Sequence, residues 1–214
     1  MDHNSIKSYY GTPAFNQPWQ NIDYFTERQL KILTAKFKDF LKKSPGPWTA
    51  RIRGRYFLIF LFLRFTGARI SEVAGIDDQA DVDYRTGDVT MAVLKRHNPN
   101  KKKMRKMVPV PLKAVKRLAH YLTQYPEMKG KAFSVDRSNF FGIFRKLALK
   151  CGFPKTLAHP HVLRHTRAME MVRAGVPLTI VPHVLGHANL NTTAVYLQFS
   201  GQEAKAILKD RGLI

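Results

Sequence analysis

The feature that most constrains the fold is an apolar run, YFLIFLFLRF, which extends from Tyr56 to Phe65. The pattern predicts a helix from about Thr49 to Phe65 that is apolar on nearly every side after Arg55. A helix without a polar face is stable only when other elements cover it all round. The uncharged part, Tyr56–Leu63, is less than half as long as a membrane-spanning helix. We therefore expect this helix to lie at the centre of a folded domain.

Further helices are predicted on both sides of this run. Thr26–Gln29 has the pattern of a capping box, in which the Thr hydroxyl and the Gln side chain satisfy backbone N–H groups at a helix start. The helix that follows has an apolar stripe formed by Leu30, Leu33, Phe37, Phe40 and Leu41. Pro111–Tyr125, Ser138–Cys151 and a short Gln202–Arg211 also show helical periodicity. The expected core face of the second of these comprises Phe140, Phe141, Phe144, Leu147 and Ala148.

The segment between residues 80 and 110 changes to the pattern of β-strands. Val82–Tyr84, Val89–Leu94 and Arg105–Val110 predict three short antiparallel strands. The last two are separated by the loop KRHNPNKKKMRK, which begins at Lys95 and contains no acidic residue. In the simplest interpretation this loop is a solvated tip that contacts phosphates without sequence specificity. The predicted fold class is mainly α with a small three-stranded antiparallel sheet.

Groups that could attack a phosphodiester lie near the end of the chain. His161, Arg164 and His165 have the i, i+3, i+4 spacing that places them on one helix face, and His187 and Tyr196 follow. A tyrosine phenol has a reference pKa of about 10 and needs help to become a nucleophile. An arginine can bind two phosphoryl oxygens at once, and a histidine can move protons near neutral pH.

Two plainer interpretations of the same residues remain open. The helix could contact phosphate while His187 and Tyr196 are buried for packing alone. His159, His161 and His165 could instead form a zinc site, but Arg164 lies between them and no carboxylate or thiol completes the set.

The net charge narrows the choice of partner. The chain has 36 basic and 15 acidic residues, a formal net charge of +21, which indicates a polyanionic partner. Nucleic acid is the first candidate and an anionic membrane surface the second. The N-terminus lacks the pattern of a signal peptide, and Cys151 is the only cysteine, which excludes an internal disulfide. We expect an intracellular, soluble protein, located in the cytoplasm and associated with the nucleoid if bacterial.

Taken in order, these segments resemble the tyrosine recombinases, the phage integrase family. The resemblance rests on Thr66–Glu72 (TGARISE), the basic hairpin, His161-x-x-Arg164, Leu185-Gly186-His187 and Tyr196. It extends over about Thr26–Ile214, and it implies the catalytic domain of the DNA breaking-rejoining fold.

The resemblance also implies a role for each residue. Tyr196 would attack DNA, Arg69, Arg164 and His187 would bind the scissile phosphate, His161 would accept a proton, and Lys95 would protonate the leaving oxygen. Because the hairpin loop is longer than is usual in the family, Lys101, Lys102 and Lys103 compete with Lys95 for this role. Glu72 and His165 would support these residues: Glu72 would orient its neighbours without touching DNA, and His165 would pack or contact a phosphate. The residues expected to contact DNA are Arg96, Lys101, Lys102, Lys103, Arg105 and Lys106.

By this resemblance the chain consists of an irregular N-terminal arm, residues 1–23, and a catalytic domain, residues 24–214. The separate core-binding domain that precedes the catalytic domain in most relatives is not seen, so the chain is either a short member or a fragment. The implied function is site-specific recombination or integration of double-stranded DNA through a 3′-phosphotyrosyl intermediate. Neither metal, ATP nor another cofactor is expected, and the implied partners are further copies of the chain in a tetramer on DNA and an accessory or core-binding protein. A type IB topoisomerase activity and a non-catalytic DNA-binding protein of the same fold are the alternatives.

Overall fold

The computed structural model describes residues 23–93, 105–177 and 179–186. Within these ranges the helices are α1 (Glu27–Lys42), α2 (Pro47–Thr66), α3 (Ile70–Ala74), α4 (Leu112–Gln124), α5 (Arg137–Lys150), α6 (His161–Arg173) and α7 (Ile180–Leu185). The strands are β1 (Asp88–Ala92) and β2 (Arg105–Pro109), and short 3-10 turns occupy Pro126–Met128 and Lys155–Leu157. None of the helices described is both long and apolar enough to cross a bilayer.

Helix α2 is the centre of the domain, as its sequence predicts. Every residue from Phe57 to Leu63 is buried, and α2 contacts α1, α3, α4 and α6. Gly54 allows α4 to approach closely, because a Cβ atom at this position would lie 2.7 Å from the ring of Tyr121. At the other end of α2, Arg64 donates to Glu170 of α6, with 2.7 Å between Nη1 and Oε2. The central helix thus positions the two segments, α3 and α6, that carry the arginines of the predicted site.

Helix α1 begins at the predicted capping box. The hydroxyl of Thr26 accepts from the N–H of Gln29 at 3.2 Å, and Oε1 of Gln29 accepts from the N–H of Thr26 at 2.8 Å. Phe37 of the buried stripe stacks on Phe60 of α2 with 4.3 Å between ring centroids.

The sheet is antiparallel, as predicted, but contains two strands in the part of the chain that the structure describes. β1 pairs with β2 in a register that places Thr90 opposite Met107. The predicted first strand, 82–84, contributes a single bridge between Val82 and Val89. The physical reason lies in the turn that follows, where the carboxylate of Asp83 accepts from the N–H groups of Arg85 and Thr86 and bends the chain away from the ladder.

One residue of the predicted α5 core is not in the core. Phe140, Phe144, Leu147 and Ala148 are buried, but Phe141 is 43% exposed. It lies one residue, about 100° of helical rotation, from Phe140, so it projects from a different face. The core face of α5 therefore does not include Phe141.

Candidate active site

The first arginine of the site is presented by the junction between α2 and α3. Gly67 ends α2 in the left-handed conformation, with φ 62°, and Arg69 precedes α3 as its N-cap residue. The guanidinium of Arg69 donates from Nη1 to Oε1 of Glu72 at 3.1 Å, and its backbone N–H donates to Oε2 at 3.1 Å. Glu72 has a fully buried side chain, whereas that of Arg69 is 38% exposed. The carboxylate therefore fixes Arg69 from the protein side and leaves part of the guanidinium open.

The second arginine, Arg164, lies on α6 and is buried. Its Nη1 donates to the carbonyl oxygen of Gly67 at 2.9 Å and to that of Leu185 at 2.7 Å. These bonds tie α6 to the junction that carries Arg69 and to the carboxyl end of α7. Val162 and Met169 on the adjacent face of α6 are buried.

The two histidines of α6 lie next to each other, with 4.8 Å between ring centroids. The pKa of His161 is lowered to about 4, first by burial of the ring and then by the positive charges of His165, Arg164 and other neighbours. His161 also contacts solvent at the cleft. Burial likewise lowers the pKa of His165, and Arg164 adds to the effect. His161 is therefore neutral at pH 7 and can accept a proton.

Lys106 lies inside the protein, although its place in the basic hairpin run predicts a residue on the DNA-binding surface. Its side chain is 9% exposed, and its Nζ lies 3.4 Å from Oε2 of Glu72. The same atom donates to the carbonyl oxygens of Val184 at 3.1 Å and Leu185 at 2.8 Å. A signal for this position exists in the sequence, because Lys106 shares a strand face with Val108, which is buried.

An open cleft of about 560 Å³ lies beside Arg69 and His161. It is also lined by Arg137, His159 and the exposed Phe141, none of which the sequence analysis assigned to the site. Its walls carry cationic and hydrogen-bonding side chains. Within the described ranges, no three His, Cys, Asp or Glu side chains come close enough together to hold a metal ion.

Of the remaining predicted residues, one lies within the described ranges. Arg105 is 53% exposed at the side chain and pairs with Asp81. The predicted general acid, nucleophile, later histidine and loop cations lie outside the described residues: Lys95, Arg96, Lys101, Lys102, Lys103, His187 and Tyr196. The structure thus brings together Arg69, Glu72, His161, Arg164 and His165, and α7 ends one residue before the Gly186-His187 pair.

Comparison with known proteins agrees with this geometry. The phage integrase family matches residues 24–203. A tyrosine recombinase of Pseudothermotoga lettingae is 34% identical over 154 residues, which are 70% of this chain and 51% of that protein.

Solved structures show the same fold. The XerH site-specific recombinase, bound to its palindromic difH substrate in a post-cleavage complex, superposes with a TM-score of 0.68 at 18% identity, over 87% of this chain and 52% of that one. The catalytic domain of bacteriophage HP1 integrase gives a TM-score of 0.57 at 22% identity, over 88% of this chain and 95% of that domain. The chain spans about half the length of curated relatives such as the Pseudothermotoga protein. Because the family match covers most of the sequence and includes the arginine box and the α6 motif, the chain belongs to the phage integrase family, the family of the tyrosine recombinases.

Proposed function

We propose that this chain is the catalytic domain of a site-specific DNA recombinase that cuts and rejoins strands through Tyr196. The observation that carries the proposal is the junction that joins α3 and α6 beside one cleft. Arg69 and His161 line the cleft, and Glu72 holds Arg69. Arg164 is tied to the same junction by the carbonyl groups of Gly67 and Leu185. This set is what an anionic phosphoryl transition state requires.

In the proposed reaction the phenol oxygen of Tyr196 attacks a DNA phosphorus atom. The new ester bond links Tyr196 to the 3′ phosphate, the bond to the 5′ oxygen breaks, and a 5′ hydroxyl leaves. The phenol proton passes to His161, and Lys95 supplies the proton that the 5′ oxygen takes up. Attack by a 5′ hydroxyl of a second strand reverses these steps, so the ester energy is conserved and neither ATP nor a metal is required.

The arginines act on the charge that builds up on the non-bridging phosphate oxygens. Arg69 keeps part of its guanidinium open to the cleft while Glu72 fixes its orientation, and Arg164 is fixed by two backbone carbonyl groups. Donors that are already oriented cost no rearrangement as the transition state forms, and removing one costs about 3–4 kcal/mol in comparable sites. His187, which follows α7, would add a further donor.

The charge of the chain and its relatives support DNA as the substrate. A net charge of +21 favours a polyanion, and the XerH structure contains a DNA substrate. The basic loop from Lys95 to Lys103 and the exposed Arg105 are proposed to contact the backbone. The chain spans about half the length of its relatives. We therefore further propose that a core-binding domain or partner binds DNA together with this domain, in a tetrameric assembly. We propose that the assembly acts in the cytoplasm.

Covalent trapping tests the proposal. The protein would be incubated in EDTA, without ATP, with nicked DNA duplexes from its own genomic neighbourhood. Denaturing gels would then be examined for a protein–DNA adduct. We expect the adduct with the native chain and none with Tyr196→Phe. Tyr56→Phe, which removes a hydroxyl from a residue that does not line the cleft, is the matched control and should retain the adduct.

The other outcomes have defined meanings. Bound DNA without an adduct, also after addition of a core-binding partner, would contradict the proposal and support a non-catalytic DNA-binding protein. An adduct accompanied by relaxation of one-site plasmids, without strand exchange on two-site plasmids, would support a topoisomerase.

A further inference from the structure

We propose that Lys106 is a positioning residue, which holds the Arg69–Glu72 pair and the carboxyl end of α7 at a fixed separation. It thereby sets the position of the chain that leads into His187. The inference deepens the proposed function and rests on it where cleavage is concerned. It replaces the expectation that Lys106 contacts DNA.

The contacts of Lys106 use its full hydrogen-bonding capacity. A lysine ammonium has three donors and no acceptor. Three acceptors surround this one: Oε2 of Glu72 at 3.4 Å and the carbonyl oxygens of Val184 at 3.1 Å and Leu185 at 2.8 Å. With a side chain that is 9% exposed and donors that are engaged by the protein, Lys106 is unsuited to binding a phosphate or protonating a leaving oxygen.

Two of these acceptors lead directly to an arginine of the site. Glu72 also accepts from Arg69, with Oε1 3.1 Å from Nη1. The carbonyl oxygen of Leu185 also accepts from Arg164, with 2.7 Å to Nη1. Lys106 is therefore one shared acceptor away from both Arg69 and Arg164, and it joins β2 to α3 and α7.

The end of α7 depends on such a partner. The last carbonyl groups of a helix have no N–H partner within the helix, and a cation near them is favourable. Gly186 gives the ammonium room, because a Cβ atom at that position would lie 3.1 Å from Nζ of Lys106. The next residue along the chain is His187. A displacement of the Lys106 ammonium would therefore change the contacts of Gly186, which directly precedes a predicted phosphate donor.

The charge of Lys106 is kept at neutral pH by its partner. Burial lowers the pKa of Lys106 to about 8, while Glu72 opposes the lowering. Removing the ammonium would leave the buried carboxylate of Glu72 with Arg69 as its remaining cationic partner among those described, and would leave the α7 carbonyl groups without this donor.

The test compares Lys106→Met with Lys106→Arg and with Lys129→Met. The first keeps most of the apolar stem and removes the donors, the second keeps the charge, and the third removes one exposed positive charge elsewhere. Two properties would be measured: amide hydrogen exchange in peptides covering residues 180–186 of the free protein, and the single-turnover rate of adduct formation at saturating protein alongside the Kd for DNA at fixed salt.

We expect exchange in residues 180–186 to accelerate about tenfold or more in Lys106→Met, while the α1 and α2 peptides remain protected. The rate of adduct formation should fall roughly 10- to 100-fold, with a Kd close to that of Lys129→Met, because a small misplacement of catalytic groups has such an effect. Lys106→Arg should recover part of both properties. If Lys106→Met does not fold, the same comparison between Lys106→Arg and the native chain decides, with a smaller expected change.

The opposite results are equally clear. Unchanged exchange in residues 180–186 would overturn the proposal, and so would a loss confined to DNA affinity with a reduced salt dependence, because that is the behaviour of a phosphate contact. If the native chain forms no adduct but exchange responds to Lys106→Met, the proposed recombinase function fails while the positioning of α7 by Lys106 stands.

Discussion

His161 is the residue whose chemistry depends most on its surroundings. It lies at the edge of the cleft next to Arg69, and the positive charges of Arg164 and Arg69 act on its ring together with burial. These influences all favour the neutral ring. A neutral imidazole close to a bound phosphate is a proton acceptor, whereas an imidazolium is a donor only.

The first prediction concerns the pH dependence of stability that follows from the lowered pKa of His161. The pKa of His161 is lowered to about 4, chiefly by burial, whereas in the unfolded chain His161 binds a proton near pH 6.5. The contribution of this neutral ring to stability is thus complete above pH 6.5 and is lost as the pH falls from 6.5 towards 4. We expect the free energy of unfolding of the native chain to fall relative to His161→Gln over this range in urea titrations.

An NMR titration of the free protein gives an independent check. The ring signals of His161, assigned by their absence from His161→Gln, should remain those of the neutral form at pH 6. A midpoint at or above 6.5 would contradict the lowered pKa of His161.

At the scale of elements, the site depends on a tight junction between α2, α6 and α7. Gly67 has φ 62°, and a Cβ atom on it would lie 2.6 Å from Cδ2 of Leu185 and 3.1 Å from Cβ of Arg167. Its carbonyl oxygen is one of the two that hold Arg164. The glycine is therefore required both by its backbone conformation and by the space it leaves for α7.

The second prediction separates these two requirements. Gly67→Ala should lower the free energy of unfolding by roughly 2–5 kcal/mol, the sum of left-handed strain and overpacking. Gly152→Ala is the matched control, because Gly152 has φ 76° and no atom within 4 Å of an added Cβ. It should cost about 1–2 kcal/mol from backbone strain alone. Equal losses of stability in urea denaturation would show that contact with Leu185 is unimportant.

The sequence predicts the elements better than it predicts their edges. An apolar run such as that of α2 is stable only when it is buried in the core. The capping box at Thr26 consists of local hydrogen bonds that need no tertiary contact. Phe141 was misplaced because helical periodicity does not separate neighbours that differ by about 100°. The first of the three predicted strands, 82–84, does not form because the side chain of Asp83 bends the backbone after a single bridge.

The site residues that belong to a sequence motif can be predicted from the sequence, whereas those placed by tertiary contacts cannot. Arg69, His161 and Arg164 belong to short ordered motifs. Lys106 ends the basic run KRHNPNKKKMRK, and this run predicts a surface that contacts phosphates. The acceptors that make its burial possible come from Glu72, 34 residues earlier, and from α7, about 80 residues later. The alternation with buried Val108 indicates which strand face Lys106 occupies, but no local pattern identifies these acceptors.

At the scale of the whole molecule, the excess of positive charge remains the main physical property. Self-repulsion of a chain with a net charge of +21 is relieved when a polyanion binds. Binding to DNA then releases counterions, and this makes affinity depend steeply on salt.

The third prediction uses this dependence to locate the DNA-binding surface. Replacement of Lys101, Lys102 and Lys103 together by Gln should reduce the slope of log K against log salt by about 2.7, which is 0.9 for each phosphate contact. The control is the triple Gln replacement of the exposed Lys129, Lys131 and Lys155, which makes the same change in charge. Fluorescence anisotropy with a duplex at several salt concentrations gives both slopes. Equal slopes would indicate that the loop does not contact DNA.

The two apolar clusters of the domain also suggest where the chain could be divided. Most of the core is one continuous cluster, but Ala168, Met169, Met171, Val181 and Leu185 form a second, small one that joins α6 to α7. The turn at Gly175, with φ 73° and no atom within 4 Å of an added Cβ, lies between these helices. A backbone cut there would place Arg69 and Arg164 on one fragment and Tyr196 on the other. The described part of the second fragment contacts the first through this small cluster and through the bonds of Lys106 and Arg164 to the carbonyl groups of α7, so cleavage by the two fragments together would require these contacts to form again.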